Sequence, residues 1–240
     1  MGIGVWLVSM GIVAIAGFTR GFSGFGSAMI LAPALSLFFP PQQVVATVIL
    51  LEMIAGAGLV PAALSKTLWR EVLPLVLSAM VMVPVGAHFL SLLEPLLMRR
   101  VIGGLILGFV LLLWSGKSHY NHAHVSLTSA VGAVSGFLTG LAGIGGPPIV
   151  LYSMSGNNAA AANRANFIVF FAFTQAMALA SFWLSGILSI AVWQLFLSFA
   201  PIFGLGLLFG QFCFKRVNEA LFRRVVMALL LGFALLAIVV

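Results

Sequence analysis

The chain has 240 residues, 62% of them hydrophobic and 6% charged, with a mean hydropathy of +1.23. Soluble domains carry about 25% charged residues, so this composition excludes one and predicts a polytopic membrane protein. The net charge of +7 reads as loop charge against anionic headgroups, not as a nucleic-acid surface, and the single Cys213 excludes an intrachain disulfide or a cysteine metal cluster.

Cutting at charges, Pro and Gly leaves ten apolar segments, at about 3–19, 25–39, 43–64, 71–91, 97–115, 125–141, 147–156, 160–184, 189–213 and 219–239. Their Leu, Val, Ala and Phe runs are apolar all round, as membrane helices are; strands of an outer-membrane barrel would alternate. No basic n-region or small-residue cleavage site marks the start, so Gly2–Phe18 is expected to be a retained segment.

The first segment ends at Arg20 and runs into the string Gly21-Phe22-Ser23-Gly24-Phe25-Gly26-Ser27. The second segment, directly after it, is too short for the ~20 residues that a spanning helix needs. Glu52 is the only acid well inside an apolar run, in the third segment. An ionisable group there is costly and suggests proton coupling; a protonated or paired structural Glu is the plainer alternative. His88, near the outer end of the fourth segment, is either an interfacial histidine or a proton relay. His119, His122 and His124 form HxxHxH in the central linker, with no carboxylate or Cys beside them, and read as solvated residues, not metal ligands. No metal and no cofactor is expected.

The string then returns as Gly140-Leu141-Ala142-Gly143-Ile144-Gly145-Gly146, 119 residues after its first copy, again before a short segment. Pro147 and Pro148 follow, at the start of a helix where a missing N–H costs least. Asn163 and Asn166 flank Arg164 at helical spacing. An arginine with amides near a helix N-terminus suits a small oxyanion; loop arginines obeying the positive-inside rule are the alternative for Arg164 and Arg20. Gln175, Gln194 and Gln211 could line a path or bond between helices. Lys66–Arg70 and Lys215–Arg224 read as anchoring charge.

At a spacing of 124, Trp69 meets Trp193, Gly86 meets Gly210, Arg99-Arg100 meets Arg223-Arg224 and Gly108-Phe109 meets Gly232-Phe233. The change from 119 to 124 requires a short insertion near Ser185–Ser189. Two repeats, 1–118 and 125–240 about a linker at 119–124, therefore divide the chain. Five segments per repeat is odd, so the repeats should be inverted. One side of the membrane collects Arg20, Lys66, Arg70, Lys117, Arg164, Lys215, Arg216, Arg223 and Arg224, the other only Arg99 and Arg100. The rich side is cytoplasmic by the positive-inside rule, which puts both termini outside, in the periplasm. The expected fold is all-α and polytopic, two inverted five-segment repeats with short or broken helices at the glycine strings.

Paired broken segments in inverted repeats mark the midplane site of a secondary transporter, where half-helix N-termini face anionic substrate groups. Gly24, Gly26 and Ser27 would form one lip, and Gly143, Gly145 and Gly146 the other. Close helix packing is the bland alternative for such glycines. An enzyme reading also exists: Gly21-Phe22-Ser23-Gly24 matches the GxSG of rhomboid intramembrane serine proteases, with His88 as base. Against it, Ala142 stands opposite Ser23 in the repeat, so the supposed nucleophile is not duplicated. Two matched breaks also fit a gated site better than a channel pore.

The strings, the ten segments and the two halves resemble the sulfite exporter TauE/SafE family, also called the toluene sulfonate uptake permease family. The likeness covers essentially the whole chain and is best at Gly17–Pro33 and Gly136–Tyr152, which carry the GxxGxGG pattern. The second copy fits fully; the first has Ser27 at the last place. The resemblance implies secondary transport of sulfite, sulfonates such as sulfoacetate, or thiosulfate, with substrate and direction differing among members. A permease for another small oxyanion or carboxylate is the alternative. No nucleotide-binding motif points to ATP, so coupling is expected to a proton or to the membrane potential. The expected setting is the inner membrane, with the lipid bilayer, the anion and a coupling proton as partners, no nucleic acid, and a homodimer allowed.

Overall fold

The structure is a computed structural model that describes residues 2–23, 26–115, 125–154 and 160–213. Its described residues form ten helices and no strand: α1 (Ile3–Ser23), α2 (Ser27–Ser36), α3 (Pro41–Ala57), α4 (Val60–Leu64), α5 (Trp69–Leu92), α6 (Pro95–Ser115), α7 (Val125–Ala142), α8 (Gly146–Met154), α9 (Ala160–Leu184) and α10 (Ile190–Cys213). Among them four helices, in α1, α5, α9 and α10, are long and apolar enough to cross a membrane. Their outward faces are apolar too: Leu77, Trp183, Leu197 and Leu205 are more than half exposed. In water such faces would drive association, whereas lipid tails solvate them. The chain is a multi-pass helical membrane protein.

The apolar segment expected at about 43–64 is two helices, not one. Gly56-Ala57-Gly58 supplies a weak helical stretch, and Pro61, in the first turn of α4, has no N–H to continue the α3 ladder. The segment at 219–239, the linker histidines, Gly24 and the loop charges Lys117, Lys215, Arg216, Arg223 and Arg224 lie outside the described residues.

The helices form two compact units, each drawn from both halves of the sequence. One holds α1, α2, most of α3, α6 and α10; the other holds α4, α5, α7, α8 and α9, with the boundary in α3 at Glu52. In the first unit Trp6, Phe39 and Phe199 pack as a three-ring cluster, with centroids 5.8, 5.9 and 6.1 Å apart. In the second, Val72, Leu75, Val76 and Ala79 of α5 pack with Ile149 and Tyr152 of α8 and with Val169 and Phe170 of α9.

Each unit is built on one close helix pair, α1 with α10 and α5 with α7. A Cβ built on Gly21 would lie on the Leu207 carbonyl oxygen, and one on Gly210 would lie on that of Phe18. A Cβ on Gly140 would lie on the Val83 carbonyl oxygen, and one on Gly86 on that of Phe137. Only glycine lets two backbones approach so closely, which is how helices associate where no hydrophobic effect drives them. Gly17 meets Phe203 as Gly21 meets Leu207, and Gly136 meets Ala79 as Gly140 meets Val83, so contacts advance along both helices together. Both pairs are therefore parallel. The correspondence is residue for residue: Gly21, Phe18, Leu207 and Gly210 of one unit stand for Gly140, Phe137, Val83 and Gly86 of the other, at the offsets of 119 and 124 already present in the sequence.

Candidate functional site

The second string divides its work among its glycines. Gly140 packs against α5, as described above. Gly143 has φ +72°, the left-handed region, and its N–H donates to the Thr139 carbonyl at 3.0 Å while Ile144 N–H reaches back to Leu138 at 3.2 Å. These bonds close α7 in a glycine C-cap. The N–H groups of Gly145 and Gly146 are engaged in neither cap bond, and Pro147 and Pro148 have none to give. The donors that the start of α8 can offer an anion thus come from Gly145 and Gly146, while Gly143 makes the turn that presents them.

The loop is held from α7. Ser135 Oγ donates to the Gly145 carbonyl oxygen, and Thr139 Oγ1 donates to the Ser135 carbonyl at 2.8 Å. Both side chains are buried. A Cβ on Gly145 would lie on Thr139 Oγ1, so no other residue fits there without displacing α7. Further along α8, the Tyr152 hydroxyl pairs with that of Thr128 at 2.7 Å. Sequence reasoning passed over Ser135 and Thr139. Their signal was two hydroxyls four residues apart on one helix face, leading directly into the string.

The first string is arranged differently. Gly21 packs against α10, and Gly26, at the sixth place of the string, is left-handed with φ +93°, whereas Gly145 at the sixth place of the second string is not. Gly26 is the N-cap of α2, and no side chain caps that end. All ten residues of α2 are buried, Ser27 among them with no exposed surface. Arg20 is half-buried in the last turn of α1, where the carbonyl end of a helix favours a cation.

The remaining candidates lie apart in environment. Arg164 is exposed and Asn163 half-buried, whereas Asn166 is 5% exposed and its Oδ1 accepts the Leu68 N–H at 2.9 Å, capping the start of α5. The Asn166 carboxamide oxygen is thus committed to the fold, and its NH2 group is what it could turn toward an anion. Glu52, on α3, is 5% exposed, and Gln175, on α9, is buried as well. His88 is exposed near the end of α5, and its carbonyl accepts a bond from the Ser91 hydroxyl at 2.7 Å. Among the described residues no three His, Cys, Asp or Glu side chains gather as a metal site.

The family model described as sulfite exporter TauE/SafE matches residues 9–237, nearly the whole chain. No curated protein and no solved structure matches it. The matched family is one of membrane transporters, not enzymes, which sets aside the protease reading of Gly21-Phe22-Ser23-Gly24. With long apolar helices and a family match over nearly its full length, the chain belongs to the sulfite exporter TauE/SafE family.

Proposed function

We propose that the chain is a secondary transporter that carries a small sulfur-containing anion, sulfite or a sulfonate, across the cytoplasmic membrane by alternating access. The observation that carries this reading is the break at each string, where a long helix stops and a short one starts. At 1.5 Å per residue α2 and α8 are only ~15 Å long, half of a ~30 Å hydrocarbon core. Such helices leave an N-terminus partway across the bilayer, where its N–H groups and dipole favour an anion. The matched glycine contacts of α1 with α10 and of α5 with α7 support an inverted repeat. The loop charges support periplasmic termini, with the first string toward the cytoplasm and the second toward the periplasm.

In this reading Gly24, Gly26, Ser27, Gly145 and Gly146 contact the anion and Gly143 shapes the turn. Arg20 and Arg164 supply positive charge, and Asn163 and Asn166 amide donors. Glu52 carries the coupling proton, with His88 as an outer relay. Purified protein in proteoliposomes should show saturable sulfite uptake and counterflow, competed by sulfoacetate or taurine. Glu52→Gln should keep counterflow and lose acceleration by an imposed proton gradient. Uptake that never saturates would replace the carrier with a channel, and gradient-sensitive flux in Glu52→Gln would remove the proton role from that residue.

A further inference from the structure

We infer that Ser135 is a positioning residue that sets anion affinity by aiming the Gly146 N–H; this rests on the transport reading above. The argument is peptide geometry. A trans peptide is planar, with its C=O and the following N–H pointing in opposite directions. The Gly145 carbonyl is turned back onto α7, where Ser135 Oγ donates to it. The Gly146 N–H of the same peptide therefore points away from α7, at the first residue of α8. Two glycines in sequence have no side chain to fix this peptide, and Gly is the residue with the most conformational freedom. The Ser135 bond supplies the constraint. Thr139 reinforces it, because its hydroxyl lies where a Gly145 side chain would go and bonds the Ser135 backbone at 2.8 Å.

The first string lacks this pair of hydroxyls at the matching places. At the same offset of 119, Ala16 stands for Ser135 and Arg20 for Thr139, while Gly26 stands for Gly145. The hydroxyl pair therefore belongs to the second string alone, and a packing role common to the repeat does not account for it.

The test is the KM for sulfite in proteoliposomes, read beside the maximal rate. Ser135→Ala should raise KM about tenfold, the worth of one hydrogen bond, with little change in maximal rate. Ser135→Thr, which keeps the hydroxyl, should restore it. On the wild type, sulfite should slow hydrogen exchange in a peptide spanning residues 143–149, a measurement that requires no variant to fold. Wild-type uptake with an unchanged KM in Ser135→Ala would overturn this inference alone, as would the absence of sulfite protection in that peptide. No saturable uptake by the wild type would overturn the transport reading along with it.

Discussion

The two units solve one packing problem alike and one polar problem differently. Their close helix pairs match glycine for glycine, yet buried hydroxyls of the second unit bridge α7 and α8, while two buried serine hydroxyls of the first have no partner. Thr128 meets Tyr152 across α7 and α8, and Ser135 meets the Gly145 backbone. In the first unit the Ser9 and Ser36 hydroxyls are wholly buried without a partner. The offset of 119 explains Ser9: it stands for Thr128, but the place of Tyr152 is taken by Pro33, which has no hydroxyl to offer. Matched helix pairs can thus carry different polar linings. The second unit is the better candidate for a fixed anion cradle, and the first, with Arg20 in the place of Thr139, for the charge that draws the anion in.

The comparison breaks first at the packing glycines. Gly140→Ala and Gly21→Ala should each destabilise the protein by about 3 kcal/mol, the upper end for overpacking, because a backbone carbonyl cannot step aside as a side chain can. Gly104→Ala, where a Cβ meets nothing within 4 Å, should be nearly neutral. Thermal melts followed by size-exclusion chromatography would measure all three; a large difference between the first two would argue against equivalent helix pairs. Charge comes next. Arg20→Ala should weaken sulfite binding by tenfold or more, the value of a charge-assisted bond of about 1.5–3 kcal/mol, while exposed Arg164→Ala should weaken it less. The reverse order would move the charged residue of the site to α9.

The smallest effect sharpens the polar contrast. Thr128→Val removes the hydroxyl that pairs with Tyr152 and should cost about 1–2 kcal/mol. Ser9→Ala removes a buried group that has no bond to lose, and should be neutral or stabilising. The same melts decide it, and equal losses would mean that Ser9 is bonded after all.

The membrane class, the two breaks and the short helices after them were legible because glycine spacing and apolar length are local properties. The repeat offsets were legible too, although their meaning was not. Gly86 and Gly210 align in sequence, but that each lies against a Phe carbonyl on a partner helix depends on contacts far along the chain. The string's division of labour was also hidden. Identical letters gave Gly26 and Gly143 equal standing with their neighbours, whereas among the described residues of the two strings it is these two whose backbone is left-handed. Asn166 looked like an arginine's companion because spacing shows a shared face and not what faces it. Its oxygen is engaged by Leu68, on a segment nearly a hundred residues earlier.

The pairing of α1 with α10 sets a timetable for making the protein. The partner of α1 leaves the ribosome roughly 170 residues after it, some 10–30 s at ordinary synthesis rates of about 5–20 residues per second. The α5–α7 pair waits only for α6 and the linker. During the longer interval the Gly17–Gly21 face of α1 lies open in the bilayer, available to any other small-residue stripe. A nascent chain halted before Ile190 would therefore carry a completed second close pair and an unmatched first helix, which is where a membrane chaperone or a wrong partner would engage it.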